Sequence, residues 1–138
     1  MNFPFGLTGI LAIAASCFGA RRIIAIDNDP RACAIAKRNA RQNRVRNIIV
    51  RCGDVLKLKA GARFDIVAAN LFSEILIAAL PRWFRHLASD VYLILSGILR
   101  EQEQSVVGAL RKNGFVPVEI KRRGKWAAIL AVPARKKS

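Results

Sequence analysis

The chain has 138 residues, of which 53% are hydrophobic, and its 24 basic and 9 acidic residues give a formal net charge of +15. This length predicts one domain with a sizeable core, and the apolar runs are too short and interrupted to cross a bilayer. No positively charged region precedes the first apolar stretch, which argues against a signal or transit peptide. We therefore expect a soluble, cytoplasmic protein with a folded domain at 1–133 and a basic tail at 134–138.

Strand-like and helix-like segments alternate along the chain. The predicted helices are 9–18, 31–43, 73–88 and 101–113, and the predicted strands are 22–27, 47–51, 64–69, 91–96, 115–121 and 125–132. Alternation favours an α/β fold, a mostly parallel sheet with helices on both faces. The first four strands are nearly continuous apolar runs, which predicts that they are central and parallel. Pro81 should kink or split the helix in which it lies.

The N-terminal segment has the features of an incomplete nucleotide-binding loop. Gly6-Leu7-Thr8-Gly9 leads directly into helix 9–18, whose first backbone amides could face a polar or anionic ligand group. Such a loop should follow a buried strand, yet only Met1-Asn2-Phe3-Pro4-Phe5 precedes it, and Pro4 cannot donate to a sheet. The first strand is therefore predicted to be short or missing, with Gly6, Thr8 and Gly9 as candidate cofactor contacts.

Strand 22–27 ends on Asp27, which is the principal ligand candidate. A carboxylate at the carboxyl end of the second strand of a nucleotide-binding fold can accept both ribose hydroxyls. Asp29 and Pro30 are typical of a helix N-cap and of the first helical residue. An alternative is that Asp27 only helps to cap the helix that follows.

Basic residues are concentrated in two stretches. The first, from Arg31 to Arg51, contains no acid, and the second includes Lys121, Arg122, Arg123, Lys125 and 135–137. This charge indicates a polyanionic neighbour, with RNA or a ribosomal particle as the leading candidate. Because no aromatic residue interrupts the first stretch, a loose electrostatic contact with RNA is favoured over base stacking. The alternative is the solvated surface of a generally basic protein.

Cysteine and histidine usage does not indicate a metal site. Cys17, Cys33 and Cys52 lack metal-ligand spacing, and His86 is the single histidine. We predict that all three cysteines are reduced thiols in the core.

The C-terminal strands distinguish between two possible nucleotide-binding folds. Segments 115–121 and 125–132 are joined by a short basic turn with Gly124, which predicts a closing β-hairpin. A dinucleotide dehydrogenase half would continue with another crossover helix. A sheet that ends in an antiparallel hairpin is typical of S-adenosylmethionine-dependent methyltransferases.

Five segments resemble the PrmA family in order and approximate spacing. They are Gly9-Ile10-Leu11-Ala12-Ile13-Ala14-Ala15, Asp27-Asn28-Asp29-Pro30, Ala69-Asn70-Leu71, Leu95-Ser96-Gly97-Ile98-Leu99 and Gly124-Lys125-Trp126-Ala127-Ala128. Members of that family methylate large-subunit ribosomal protein eleven. The resemblance covers essentially the whole chain but only the catalytic half of the family. It implies a class I, Rossmann-like fold, S-adenosylmethionine as cofactor, and a lysine or amino-group N-methyltransferase acting on a ribosomal protein.

The resemblance also implies roles for three polar residues. Asp27 would bind the cofactor ribose, and Asp54 in Cys52-Gly53-Asp54-Val55 would lie beside the adenine. Asn70 would line the site beside the methyl group, where a carboxamide can orient a polar nucleophile. The alternatives are that Asp54 only forms a turn and that Asn70 only begins the next helix.

One departure from the family pattern predicts impaired activity. Phe5-Gly6-Leu7-Thr8-Gly9 matches only the last glycine of the family's Gly-x-Gly-x-Gly loop, and Phe5 and Leu7 add bulk beside the cofactor. The family's N-terminal recruiting domain is also unmatched, so we expect an N-terminally truncated member. A non-catalytic basic module that binds ribosomal RNA or protein is the alternative function. An RNA methyltransferase is disfavoured, because Ala69-Asn70-Leu71-Phe72 lacks the prolines of the Asn-Pro-Pro-aromatic motif.

Overall fold

The computed structural model describes residues 19, 22–44, 46–52, 64–87 and 89–134. These contain the strands β1 (Ile23–Asp27), β2 (Ile48–Cys52), β3 (Ile66–Asn70), β4 (Tyr92–Leu99), β5 (Phe115–Arg123) and β6 (Trp126–Pro133). The helices are α1 (Pro30–Gln42), α2 (Ser73–His86) and α3 (Glu103–Lys112), with a 3-10 turn at Arg100–Gln102. Predicted helix 9–18 and tail residues 135–138 lie outside the described residues.

The described strands form one six-stranded sheet in the order β2-β1-β3-β4-β6-β5. β2, β1, β3 and β4 run parallel, whereas β6 is antiparallel to both β4 and β5. This confirms the predicted parallel sheet with a closing hairpin. β2 was wrongly expected to be central, since it is the outermost parallel strand and none of its residues is fully buried.

β1 and β3 are direct neighbours in the sheet. They pair along all five residues, from Ile23 with Ile66 to Asp27 with Asn70. In a doubly wound nucleotide-binding sheet the order 3-2-1-4 places the first strand between the equivalents of these two strands. Here β2 and β3 occupy both edges of β1, so the described sheet has no position for that strand. This agrees with the predicted short or missing first strand.

Helices cover both faces of the sheet. On one face α2 and α3 contribute Leu76, Trp83 and Val106 to the larger apolar cluster, which also contains alternate residues of the central strands. On the other face α1 packs Ala36 against Ile23, Ala25, Ile66 and Ala68. Because helices cover both faces of the central strands, the sequences of these strands are nearly continuous apolar runs.

α2 is a single helix despite its internal proline. It runs from Ser73 to His86 with Pro81 inside, so the proline does not split it, and the kink stays a prediction. Proline removes one hydrogen bond, and burial of Leu76, Leu80 and Trp83 on the core side of the helix outweighs that loss. Within the described part of the chain, no helix has the length and apolar content needed to cross a membrane.

An ion pair between Arg122 and the buried carboxylate of Glu103 joins the edge strand β5 to α3. Arg122 donates from Nε and Nη2 to the two oxygens of Glu103, at 2.6 Å each. Glu103 is only 5% exposed. The hydrogen bonds from Arg122 hold the pKa of Glu103 below its usual value of 4.5, although burial acts in the opposite direction. A bidentate pair of this kind stabilises the folded state only while the carboxylate is ionised.

We expect Glu103→Gln to remove part of the pH dependence of folding stability. Because the pKa of Glu103 is lower in the folded chain, its contribution is complete above the unfolded value of about 4.5 and is lost as the pH falls through the folded value. Urea unfolding of both proteins from neutral to acidic pH measures this. The stability difference should be constant near neutrality and should shrink below about pH 4.5.

Glu119→Gln is the matched control. Its 3.8 Å pair with Lys121 is solvent-exposed, so its removal should change stability very little at any pH. A Glu103 variant whose stability difference stays the same at all pH values would contradict the expectation.

Candidate functional site

The order of the strands reverses between β1 and β3. From β1 the chain crosses to β2 on one side, and from β3 it crosses to β4 on the other. Open α/β sheets bind ligands outside the carboxyl ends of the strands at such a switch point. Asp27 and Asn70 are the last residues of β1 and β3, so the topology places both predicted residues at this point.

Four residues with polar side-chain groups form one row across this edge of the sheet. Cys52 pairs with Asp27, Asp27 with Asn70, and Asn70 with Ser96. Register partners in neighbouring strands point to the same face of a sheet, and alternate residues along one strand share that face. Because Ile23 and Ala25 pack with α1, the row lies on the α1 face.

The carboxylate of Asp27 is buried and already makes two hydrogen bonds. It is 1% exposed, its Oδ1 accepts from the Asp29 backbone N–H at 2.8 Å, and its Oδ2 accepts from Asn70 Nδ2 at 3.1 Å. An ionised carboxylate has about four acceptor positions, so about two remain for a ligand. Asp29, in contrast, caps α1 by accepting from Arg31 N at 2.9 Å, as predicted.

Asn70 depends on a glycine in the next strand. An added Cβ at Gly97 would overlap Asn70 Oδ1, and Gly97 has a φ of +78°. The ladder between β4 and β6 shifts register between Leu95 and Ile98, which is where this backbone conformation occurs. Asn70 does not cap α2, because the N-cap is Phe72 and makes no side-chain capping bond. The alternative role of Asn70 as a helix start is therefore not supported.

Ser96 carries an unsatisfied hydroxyl beside Asn70. The residue is 5% exposed, and its Oγ is buried without a hydrogen-bond partner. A buried polar group left unpaired costs about 1–3 kcal/mol, so it favours a polar ligand at this edge. Ser96 lies in the family-like segment Leu95-Ser96-Gly97-Ile98-Leu99 and was not predicted as a site residue. The sequence does contain a sign of this role. Ser96 directly follows the apolar run 93–95, just as Asp27 and Asn70 directly follow the apolar runs of their own strands.

Cys33, which lies beside the row, is not a nucleophile. Cys33 Sγ contacts Asp27 O at 3.5 Å, and burial together with the Cys52 thiol raises the pKa of Cys33 to about 12. A thiol with that pKa stays protonated at neutral pH. Cys33 is buried as predicted, whereas Cys52 is exposed because it ends the outermost parallel strand. Cys17 lies outside the described residues.

The structure therefore brings together two of the predicted site residues, Asp27 and Asn70. Gly6, Thr8, Gly9 and Asp54 lie outside the described residues, and their roles stay predictions.

The fold and the polar row at its switch point define a class I, Rossmann-like methyltransferase scaffold. A ribosomal protein L11 methylase from Lactobacillus delbrueckii subsp. bulgaricus is similar in structure, with a TM-score of 0.70 and 31% identity, covering 93% of this chain and 66% of that chain. A methyltransferase from Pyrococcus furiosus, at 18% identity and a TM-score of 0.64, covers 91% of this chain and 68% of that chain. This second likeness shows the fold alone.

Sequence comparison defines the family. The model of the family described as "Ribosomal protein L11 methyltransferase (PrmA)" matches residues 5–134, and the chain belongs to this family. A ribosomal protein L11 methyltransferase from Heliobacterium modesticaldum is 38% identical over 125 residues, covering 90% of this chain and 39% of the relative. One from Syntrophotalea carbinolica is 39% identical over 122 residues, covering 88% and 39%. The chain thus spans about two-fifths of the length of these relatives.

Proposed function

We propose that this chain is an S-adenosylmethionine-dependent N-methyltransferase domain whose acceptor is an amino group of a ribosomal protein. The observation that carries the proposal is the hydrogen-bonded pair of Asp27 and Asn70 at the switch point of the sheet. Two further points support it: the chain belongs to the family described as ribosomal protein L11 methyltransferase, and its relatives carry that name.

The described residues fit one side of such a cofactor. Asp27 has free acceptor positions for ribose hydroxyls, and the unpaired Ser96 hydroxyl offers a further polar contact. When bound, S-adenosylmethionine would supply the electrophilic methyl group. From the family resemblance we assign the methionine side to Gly6, Thr8 and Gly9, and the adenine side to Asp54.

Asn70 is the residue that we assign to the acceptor amine. Methyl transfer from a sulfonium requires in-line placement of a deprotonated amine more than it requires a general base. Because Nδ2 of Asn70 donates to Asp27, the Oδ1 atom is the one that remains to accept a hydrogen bond from the amine. Asp27 would thus bind the cofactor and also fix the orientation of the Asn70 carboxamide.

We expect Asp27→Ala to weaken S-adenosylmethionine binding by about 1–3 kcal/mol, because the ribose hydroxyls lose a charged acceptor. Isothermal calorimetry measures the affinity directly. Asp29→Ala is the matched control, since it removes a carboxylate two positions away that only caps α1. The control should lose about 1 kcal/mol of folding stability and keep its cofactor affinity. Equal affinity of wild type and Asp27→Ala would remove Asp27 from the site.

Transfer of labelled methyl groups to purified ribosomal protein tests the reaction itself. With a full-length family member as reference, we expect slow transfer or none, because Phe5 and Leu7 add bulk in the loop that we assign to the methionine side of the cofactor. Rates equal to the reference would contradict the expected impairment.

A non-catalytic module on the same scaffold is the second candidate function. The buried and already paired carboxylate of Asp27 favours it, since both known partners lie within the chain. Calorimetry distinguishes the two, because a wild-type chain that shows no S-adenosylmethionine binding would exclude the methyltransferase and leave the module.

A further inference from the structure

The outer surface of α1 and the turn after it carry a dense group of positive charges, here called the basic face. Its members are all exposed and are Arg31, Lys37, Arg38, Arg41, Arg44 and Arg46. The sequence between Pro30 and Cys52 contains no aspartate or glutamate. Arg51 is excluded from the basic face, because alternation along β2 points it to the opposite side of the sheet from α1.

The charges of the basic face are not neutralised by described residues. Two ion pairs in the described part of the chain join Lys121 to Glu119 and Arg122 to Glu103, and neither of these two involves the basic face. The carboxylate of Asp29, at the start of α1, accepts from a backbone N–H. Neighbouring like charges repel each other, so a polyanionic partner would lower the free energy of this surface.

Helical spacing directs these cations outward together. Arg31 and Arg38 are seven positions apart, so they lie on nearly the same line of the helix and are separated by about 10.5 Å. The buried residues Cys33 and Ala36 lie on the side of the helix opposite Arg31 and Arg38, and Arg41 follows Lys37 by one turn along the flank between them. Since α1 has 13 residues, the cations are spread along about 20 Å, which is long enough to follow several phosphates.

Arg44 adds a charge at a position that favours glycine. It follows the C-cap residue Asn43 and has a φ of +56°, in the left-handed region. Helices commonly end on glycine in this conformation, and another residue costs about 1 kcal/mol. The fold alone therefore gives no reason for an arginine here, whereas binding to an anion does.

We propose that the basic face binds the phosphodiester backbone of RNA. The cations recur along a helix without aromatic residues among them, which suits backbone contacts and not base stacking. A membrane surface is disfavoured because the exposed large apolar residue on α1 is Ile35, whereas interfacial helices use Trp, Phe and Leu. The proposal does not depend on methyl transfer.

The test measures the affinity of the full chain for an RNA duplex of about 20 base pairs. Fluorescence anisotropy monitors binding at several salt concentrations, without cofactor. The variant combines Arg38→Gln, Arg41→Gln and Arg44→Gly. We expect its affinity to fall by about 100-fold near 0.1 M salt, and the slope of log K against log salt to decrease by about 2–3. Arg44→Gly alone should weaken RNA binding while its Tm stays equal or rises, because glycine relieves the left-handed backbone.

The matched control removes three charges from helices on the opposite face of the sheet, by Arg85→Gln, Arg111→Gln and Lys112→Gln. Net charge is the same in the two triple variants, so the control should lose less than about fivefold in affinity. An equal loss in the control would show that net charge alone attracts RNA and would overturn the proposal. No binding of wild type to RNA would also overturn it, as would equally tight binding to polyglutamate or to phosphatidylserine vesicles.

Discussion

Trp83→Ala is expected to destabilise the chain by about 3–5 kcal/mol, the range measured for large aromatic truncations in cores. Trp83 is 0% exposed and belongs to the cluster between the sheet and helices α2 and α3. Domains of this size have free energies of unfolding of about 5–15 kcal/mol, so the variant would lose a large part of its folding stability. Urea unfolding followed by circular dichroism measures the change.

Trp83→Phe is the informative second variant. The indole Nε1 is buried without a partner, so phenylalanine removes an unsatisfied donor while it keeps most of the apolar ring. We expect a loss of less than about 2 kcal/mol, because relief of the unpaired N–H offsets part of the lost volume. A loss well above 2 kcal/mol for Trp83→Phe would contradict the expected relief of the unpaired N–H.

Gly97→Ala should be the most damaging single change near the site. The positive φ of +78° disfavours a side chain by about 1–2 kcal/mol. Overlap of the new methyl group with Asn70 Oδ1 adds about 1–3 kcal/mol of overpacking. We therefore expect a loss of about 2–5 kcal/mol in folding stability, measured by thermal and urea unfolding, together with weaker cofactor binding.

Two variants separate these causes. Gly108→Ala is the control, since Gly108 lies in α3 with nothing near its Cβ position, and alanine should stabilise the helix by about 0.5–1 kcal/mol. Combining Gly97→Ala with Asn70→Ala removes the overlapped atom, so the double variant should recover part of the loss. Strict additivity of the two single changes would contradict the overlap with Asn70.

The parallel strands and the closing hairpin were predictable because their signals are local. Continuous apolar runs specify strands covered on both faces, and Asp29 with Pro30 specifies the start of α1. The position of Asp27 after such a run was enough to identify it as a site candidate. β2 was wrongly predicted to be central because its short run Ile48-Ile49-Val50 resembles that of a central strand. Only Arg51, the next residue, indicates an exposed edge.

Contacts between distant residues were not predictable in the same way. The hydrogen bond between Asp27 and Asn70 exists because β1 and β3 are neighbours, and no local pattern reports strand order. The burial of Glu103 under Arg122 likewise depends on how β5 docks beside α3. Ser96 and Gly97 were recognised as a family-like segment, but their effect on Asn70 follows only from the register of β4.

The direct pairing of β1 with β3 also bears on the order in which the chain folds. β5 and β6 are joined by Gly124 and Lys125 alone, and short hairpins form in about 1–10 μs. The ladder of β1 with β3 joins residues 43 positions apart, so it must close a long loop before it gains stability. We expect the β3-to-β6 half to nucleate first, with the half that carries Asp27 and the basic face becoming ordered late and opening first.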